Sequence, residues 1–454
     1  MALIHEGTQE IMKGELELFH LPGTQTNIDE TKYEKYFPQT SLDRGGPLDF
    51  SINLNDEEYL DTQNIFLYMQ LRILDENGGM LKSRISHEDA GIPPKSMVFP
   101  VNYFHATCFK SVDVLINNKS CSSNDTLYAY RSYLEALLSH SKPMKNEQMR
   151  CAMFYKDKVP FDEHSNAVTK AGAGATTNTG AATRFERTKF SKKFETIGRL
   201  HTDLTSQGRL LTGVSEITIR LHRADPKFCL MAVEATGRYT ISIDKAELYV
   251  CQKKIATSVR EAHQVMLLKT PFKYPIRKVQ MKFFTRGANR SDLTEPNLVN
   301  GVLPRRIIIG LVDSLAFHGS YHHSPFNFNH FNVSNIVLRK NGVALPFAEI
   351  NLNFEEECFL QGYTSLLDGT NRLWQDTSLD ISPFTDYPNG YTLFAFDLTS
   401  DHESSCNAYQ LVKHGNVALE IKLAKPSDKG ITILTYLEFD SLIEVNHDGL
   451  VSYE

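Results

Sequence analysis

The sequence predicts an all-β protein built from two tandem β-sandwiches of similar size. Three observations predict this fold class: short runs of alternating apolar and polar residues recur along the chain, Phe and Tyr are abundant (27 and 19), and patterns of the first half return in the second. With 454 residues, the chain is long enough for two ordinary domains. Its composition, 41% hydrophobic and 22% charged, is typical of globular proteins and excludes a disordered chain.

Alternating runs identify the strands. Residues 216–221 alternate apolar and polar side chains, which is typical of a half-buried strand. Residues 240–250 alternate too, but the phase slips at Asp244, which predicts a β-bulge. Asn341 and Gly342 lie between two short apolar runs and predict a hairpin, because Gly accepts the positive φ that a tight turn needs.

Two segments have helical rather than strand periodicity. The first has one apolar stripe at helical spacing, formed by Tyr130, Tyr133, Leu134, Leu137 and Leu138. The second runs from Ser258 to about residue 269, where Ser258 and Glu261 form a predicted capping box and Pro271 ends the helix.

One stretch differs in composition from the rest. Residues 171–183 (AGAGATTNTGAAT) carry no charge and little bulk, so they predict a loop or a disordered insert. A basic run with interleaved Phe (RFERTKFSKKFE) follows directly. We therefore place a loop insertion in the first sandwich at about residues 165–195.

The two halves of the chain resemble each other, which predicts an internal duplication. Residues 213–221 match residues 415–423 at an offset of 202, and both begin with Gly and carry a basic residue before the last Leu. The tetrapeptide Asp-Leu-Thr-Ser recurs at 203–206 and 397–400, at an offset of 194. Two further matches keep the same order: an apolar run ending in an Asn turn (112–118 and 336–341), and a Tyr followed by a Leu-Leu pair (Tyr133 and Tyr363). The period fits two sandwiches of about 200 residues, with the helix at Ser258 as their connector.

The sequence carries no common catalytic signature: GxSxG, GxxxxGK[ST], GxGxxG and HExxH are all missing from it. Its cysteines are odd in number, widely spaced and without a CxxC pair, which favours reduced thiols over disulfides or a structural zinc site. They are Cys108, Cys121, Cys151, Cys229, Cys251, Cys358 and Cys406.

The richest polar cluster in the sequence is formed by Asp313, His318, His322, His323 and His330. On a helix His318 and His322 would face one metal, but the Gly and Ser between them predict a loop and favour structural roles. The acidic run 355–357 is a candidate for carboxylate catalysis only by its charge, and a solvated loop is the favoured interpretation. Missing signatures do not exclude an enzyme, but the sequence offers no evident active site. We predict no catalytic, cofactor-binding or metal-binding residue and favour a protein that is not an enzyme.

Charge gives limited information about partners. The net charge of −6 and the pI near 6.3 argue against a protein whose surface coats DNA. Two basic runs near Phe, at 184–193 and 269–286, have the composition of a nucleic-acid surface, but the second alternates like a strand with one charged face. We therefore expect no sequence-specific nucleic-acid binding. The first 19 residues lack a basic region followed by an apolar run, so we expect synthesis and folding in the cytosol.

Several motifs, in this order and over nearly the whole chain, resemble the major capsid (hexon) proteins of Polinton/Maverick elements and adintovirus-like viruses. The most distinctive are residues 304–313 (PRRIIIGLVD) and 390–398 (GYTLFAFDL). The others are 15–19 (ELELF), 24–26 (TQT), 45–50 (GGPLDF), 274–277 (YPIR), 316–317 (AF), 319–321 (GSY) and 325–328 (PFNF).

The resemblance implies a double jelly roll, two eight-stranded antiparallel sandwiches in one chain with a few short helices. On this basis we assign residues 1–40 to an N-terminal arm, 41–256 to the first jelly roll, and 257–454 to the linker helix and second jelly roll. It further implies a homotrimer that forms a pseudo-hexagonal capsomer. Such capsomers contact one another and penton or minor capsid proteins in an icosahedral shell around double-stranded DNA. The expected location is the virion capsid, after synthesis in the host cytoplasm and assembly in the nucleus or cytoplasm.

Two other classes remain open at this stage. A minor capsid or penton protein would have a single jelly roll, so the internal duplication argues against it. A carbohydrate-binding or carbohydrate-cleaving sandwich needs a groove lined by aromatic residues, and the single tryptophan, Trp374, gives it little support.

Overall fold

A computed structural model describes residues 7–9, 11–19, 21–42, 45–55, 57–82, 94–122, 126–162, 178–212, 216–345 and 349–453. In the first half the strands are β1 (Ile28–Tyr36), β2 (Leu48–Ile52), β3 (Glu58–Asp75), β4 (Val98–Pro100), β5 (Phe109–Ile116), β6 (Lys119–Ser120), β7 (Phe194–Arg199), β8 (Ile217–Arg223), β9 (Leu230–Ala232) and β10 (Tyr239–Ile255). The helices there are α1 (Phe104–Thr107), α2 (Tyr128–Ser139), α3 (Lys142–Asn146), α4 (Thr179–Thr188) and α5 (Pro226–Cys229).

The second half begins with helix α6 (Thr257–Leu267) and also contains α7 (Ser314–Phe317) and α8 (Leu360–Gly369). Its strands are β11 (Phe272–Arg286), β12 (Arg290–Asp292), β13 (Glu295–Val302), β14 (Arg306–Asp313), β15 (Val333–Lys340), β16 (Val343–Ala344), β17 (Ile350–Asn351), β18 (Leu393–Asp397), β19 (His414–Ser427), β20 (Ile431–Val445) and β21 (Val451–Tyr453). Short 3-10 turns occur at Gly14–Leu16, Pro94–Ser96, Gln148–Ala152, Lys189–Ser191 and Leu204–Ser206.

Each half forms two antiparallel sheets with the same strand order. In the first half the orders are β1-β10-β3-β7 and β2-β8-β5-β6, and a short β4-β9 pair lies apart. In the second half they are β11-β20-β14-β18 and β12-β19-β15-β16. Strand β21 adds to the first of these sheets by pairing with β20, and β13 and β17 add to the second by pairing with β19 and β15. Except at the β5-β6, β15-β16 and β20-β21 hairpins, strands that are consecutive in the sequence do not pair with each other, because strands from the other end of the half lie between them. This is the jelly-roll connection. The chain is a double jelly roll, as the sequence predicts.

The repeated sequences lie on equivalent strands. The match between 213–221 and 415–423 falls on β8 and β19, although residues 213–215 lie outside the described ranges. The two Asn turns follow the equivalent strands β5 and β15, and the two Leu-Leu pairs lie in α2 and α8. Strand order and sequence therefore report the same duplication.

The predicted strand details are confirmed. The β10–β3 ladder shifts register between Ile243 and Lys245, at the predicted bulge. Asn341 and Gly342 connect β15 to β16 with φ values of 49° and 83°. Both φ values are positive, which a two-residue hairpin of this type requires.

The connecting helix is confirmed, but its predicted capping box is wrong. Helix α6 begins at Thr257, its N-cap is Ala256, and no side chain caps it. Ser258 therefore lies inside the first turn, where its backbone is already helical and cannot take the cap conformation. Residue 256, the predicted boundary, lies between β10 and α6.

The predicted loop insertion at 165–195 is partly helical. Residues 163–177 lie outside the described ranges, but helix α4 begins at Thr179. The Asn178 side chain accepts a hydrogen bond from the Ala181 amide and so caps the helix. Arg184 is buried and pairs with Asp157 at 2.7 Å. This tertiary contact holds a segment whose composition alone predicts a loop.

The predicted arm of residues 1–40 includes a strand of the first sheet. Strand β1 pairs with β10 over Ile28–Tyr36, so this part of the predicted arm belongs to the first jelly roll. Before β1, the apolar side chains of Ile11, Phe19 and Leu21 are exposed. Among the helices in the described ranges, none has the length and hydropathy needed to cross a membrane.

Candidate functional site

The junction between the two jelly rolls contains buried polar and aromatic side chains from both halves. Helix α2 lies at its centre, and ten of its twelve residues are buried. The Tyr133 ring stacks on Phe326 of the second jelly roll with 4.2 Å between ring centroids. The Tyr130 ring stacks on Phe317 at 5.8 Å. Aromatic pairs of this kind add about 0.5–1.5 kcal/mol each beyond the area that they bury.

A buried ionic network lies beside these rings. Arg131 on α2 donates to Asp203 at 2.7 Å and to Glu135 at 2.9 Å. The His201 ring lies 2.8 Å from Glu135 and 2.7 Å from the Tyr103 hydroxyl. Burial opposes ionisation of Glu135, but Arg131 and His201 outweigh it and lower the pKa of this carboxyl to about 2.

The second jelly roll satisfies the remaining acceptors of this network. The Asp203 carboxylate accepts hydrogen bonds from the Val279 amide at 3.2 Å and from the Tyr453 hydroxyl at 3.0 Å. The Tyr436 hydroxyl lies 3.4 Å from Glu135. Two carboxylates of the first jelly roll are thus bound by groups of the second, so the network joins the two halves.

Lysines add a second set of links. Buried Lys145 donates to the carbonyl oxygens of Leu137 and Leu379, at 2.6 and 2.5 Å, and burial lowers its pKa to about 7. Lys156 pairs with Asp386 of the second jelly roll at 2.7 Å. These contacts span the same junction as α2.

This arrangement joins the two domains. Asp203, Glu135 and Arg131 each direct polar atoms at protein partners, which is typical of a structural network. Sequence reasoning missed all three residues. The available signal was an Arg and a Glu four residues apart inside an otherwise apolar helix.

The predicted histidine cluster is dispersed in the structure. Asp313 caps α7 and lies 3.6 Å from Lys429. His323 lies 3.4 Å from Asp162, and His330 stacks on Phe354 at 4.2 Å, where burial lowers its pKa. His318 follows the last residue of α7, and His322 lies in the loop beyond it. Within the described ranges, no three His, Cys, Asp or Glu side chains form a group that could hold a metal ion.

The other candidate residues have separate roles. Glu355 pairs with Lys425 at 2.7 Å in an exposed turn. The basic run 269–286 contains β11, as its alternation predicts, and Arg277 there pairs with Glu438 at 2.9 Å. All seven cysteines fall within the described residues and are free thiols.

Comparison with known proteins supports the fold. No family model matches the chain. An uncharacterised protein of Caenorhabditis elegans is 24% identical over 435 residues, covering 94% of this chain and 97% of its own length.

Three solved viral structures are similar to this chain. A chain of the Sputnik virophage superposes with a TM-score of 0.60 at 13% identity and covers 100% of this chain and 94% of its own. The mavirus major capsid protein gives 0.53 at 8% identity, covering 100% and 97%. The Faustovirus major capsid protein gives 0.50 at 10% identity, covering 96% and 92%. The fold of this chain is therefore the double jelly roll of viral major capsid proteins.

Proposed function

We propose that this chain is a viral major capsid protein with a structural, non-enzymatic role. The observation that carries the proposal is the architecture: two jelly rolls of the same strand order are held side by side by a buried junction. A rigid pair of equivalent domains is a building block for a closed ring. The coverage of nearly the whole length of mavirus and virophage chains supports it.

Three copies form the capsomer in this proposal. Three chains supply six equivalent jelly rolls, so a ring with threefold symmetry has a nearly hexagonal outline. Such blocks pack edge to edge and tile an icosahedral shell around double-stranded DNA, with penton and minor capsid proteins completing it. The N-terminal residues before β1 act as an arm that reaches a neighbouring capsomer or an inner layer, since their apolar side chains are exposed in the single chain.

The alternatives have less support. A minor capsid protein of one jelly roll does not account for the second sandwich. A carbohydrate-binding sandwich would need a groove of several aromatic rings, and the one tryptophan stands alone on an exposed loop.

Mass measurement tests the proposal. Light scattering of the purified protein should give three chains of 51.5 kDa, or about 155 kDa. Negative-stain images of that species should show nearly hexagonal blocks with a central depression. A stable monomer at every concentration, with or without the other capsid proteins, would contradict the proposal.

A further inference from the structure

We infer which surfaces join the chains: the outer face of the β1-β10-β3-β7 sheet of one chain receives helix α8 and the loop bearing Trp374 of the next. This inference rests on the proposed function, because it requires that copies of the chain associate. It goes beyond that function by naming the two surfaces and their residues.

In the second jelly roll, the outer face of the equivalent sheet, β11-β20-β14-β18, is covered by the first jelly roll. Strand β20 is buried without alternation over its first eight residues, so both of its faces are covered. A Cβ atom at Gly310 on neighbouring β14 would lie 2.7 Å from the Phe328 ring, which itself lies 6.2 Å from Tyr133 of α2. Tyr436 on the same face lies 3.4 Å from Glu135 of α2. Helix α2 and the loop aromatics therefore cover this face.

The described residues do not cover the same face of the first jelly roll in this way. From Ile65 to Leu74, strand β3 alternates between buried and half-buried side chains, so only its inner face is fully covered. Positions on the two outer faces can be matched in two steps. The offset of 194 residues between the two Asp-Leu-Thr-Ser segments matches residues of β7 to residues of β18. The sheet registers then extend the match to the neighbouring strands. The equivalent positions are Arg199 and Leu393, Phe66 and Gly310, and Tyr249 and Leu434.

This open face is unusually rich in aromatic side chains and cations. Tyr33 is 55% exposed and Ile197 is 40% exposed. Cations lie over its half-buried rings: Lys35 over Tyr249 at 5.2 Å, Arg199 over Phe66 at 5.8 Å, and Lys245 over Tyr68 at 5.6 Å. The outer face of a solvated sandwich is normally polar, whereas protein interfaces are enriched in Tyr, Phe and Arg.

The face also has a concavity of about 790 Å³. Tyr68, Tyr249 and Ile197 lie on its sheet side. Its cationic lining residues are Arg150, Arg187, Lys192 and Lys193, and its one carboxylate is Glu195. It therefore fits an aromatic side chain that comes from an acidic surface.

The second jelly roll presents such a side chain at the position that pseudo-symmetry requires. Helix α8 is the equivalent of α2. Six residues after the end of α2, Lys145 is buried and inserts across the junction within the chain. Five residues after the end of α8, Trp374 is 93% exposed and has a φ of 56°, a conformation that is costly for a bulky residue. Trp374 thus occupies the position in the second jelly roll that Lys145 occupies in the first.

Charge also matches between the two surfaces. From residue 351 to residue 386 the second jelly roll carries seven acidic residues and one basic residue, Arg372. Glu355, Asp380 and Asp386 pair with lysines of the same chain, so the complementary charge comes from the other four: Glu356, Glu357, Asp368 and Asp376. The lining of the concavity on the first jelly roll includes four cations and one carboxylate, among aromatic and other neutral side chains. This complementarity steers the two surfaces together and disfavours a contact between two copies of the same face.

The proposed contact joins two different surfaces, so it is heterologous, and a ring of three chains can close through it. Within a chain, the first jelly roll covers the outer sheet of the second. Between chains, the second jelly roll covers the outer sheet of the first in the next copy. The two contacts alternate around a ring of six jelly rolls, so three chains close it and leave no sheet face of this kind open.

Two single substitutions test the two sides separately. Trp374→Ala removes the inserted ring, and Ile197→Asp places a charge on the outer sheet face. Each should raise the dissociation constant of the trimer at least about 30-fold, as loss of a central aromatic contact does. The matched controls are Leu411→Ala and Val343→Asp, which alter exposed apolar side chains outside both surfaces. Sedimentation equilibrium measures the dissociation constants, and circular dichroism confirms folding.

A mixing experiment tests the direction of the contact. A Trp374→Ala chain keeps an intact sheet face, and an Ile197→Asp chain keeps an intact Trp374, so an equimolar mixture should form a two-chain complex through one intact contact. If both variants stay trimeric like the wild type, the inference is wrong while the proposed function stands. A wild-type chain that never associates overturns both.

Discussion

At the residue scale, Arg131 is the most consequential side chain of the junction. It pairs with two carboxylates: that of Asp203, which is fully buried, and that of Glu135, whose side chain is 21% exposed. Two buried charges of the same sign without a cation would repel each other and lose their hydration. The stability of the junction therefore depends on a charge that its own helix supplies.

Replacing Arg131 by Met should destabilise the protein strongly. The substitution keeps the apolar stem but removes the cation that Asp203 and Glu135 share, and leaves them only the His201 ring and neutral hydrogen-bond donors. Removing one partner of a buried ion pair costs about 3–5 kcal/mol. Denaturant unfolding monitored by fluorescence measures the change. As a control, Arg220→Met removes a partly exposed pair with Asp49 and should cost under about 1 kcal/mol. Equal effects of the two substitutions would show that the network adds nothing to stability.

Acid should weaken the junction through Glu135. Its pKa falls from 4.5 to about 2 on folding, so the unfolded chain binds this proton more readily between these pH values. The stabilisation is complete above about pH 4.5 and is lost as the pH falls towards 2, by roughly 2 kcal/mol at pH 3. The free energy of unfolding at pH 7 and pH 3 should therefore fall further for wild type than for Glu135→Gln. The same fall in both proteins would remove Glu135 as the cause.

At the element scale, close packing of helix α8 on strand β18 sets the shape of the second jelly roll. Gly369, the last residue of α8, lies so close to β18 that a Cβ atom would come within 2.5 Å of the Ala395 carbonyl carbon. Backbone cannot give way as a flexible side chain can, so the helix would have to move. Because the loop with Trp374 follows α8, the position of α8 also sets where Trp374 lies in the proposed contact between chains.

Gly369→Ala should therefore destabilise the fold by about 1–3 kcal/mol, as overpacking does. The matched control is Gly287→Ala, where a Cβ atom would meet nothing within 4 Å and the change should stay within about 0.5 kcal/mol. Thermal unfolding of both variants measures the difference. A Gly369→Ala protein as stable as the control would show that α8 can shift freely on the sheet.

At the scale of the whole molecule, the two jelly rolls form one buried unit while the N-terminal arm stays outside it. Phe19 is 95% exposed and Leu21 is 92% exposed, although both are apolar. Side chains of this kind gain free energy only when a partner covers them. The arm is thus expected to act in assembly and not in the folding of the single chain.

Deleting residues 1–26 should leave folding and trimer formation unchanged but prevent normal particles. The free energy of unfolding should change by less than about 0.5 kcal/mol, because the exposed apolar residues make few contacts to lose. Calorimetry and light scattering check the fold and the trimer, and electron microscopy of co-expressed capsid proteins checks the particles. Normal particles from the truncated chain would contradict the role of the arm.

The sequence by itself determined the features that depend on local physics. Side-chain alternation marks strands because successive residues point to opposite faces, and the Asn341-Gly342 turn follows from the positive φ that it requires. The duplication was visible because equivalent strands must satisfy the same pattern in both halves. The double jelly roll therefore followed from sequence reasoning together with the family resemblance.

Only the tertiary structure decided the features that depend on distant partners. Arg131 and Asp203 are 72 positions apart, and Glu135 and Tyr436 are 301 positions apart, so no local pattern joins them. Helix α4 forms in a segment that its composition marks as a loop, because Arg184 finds Asp157 in the fold. The sequence around Phe66 is typical of any strand. Only the strand order shows that the equivalent face of the second jelly roll is covered. Long-range contacts fix these features, and a sequence lists residues without their distances in space.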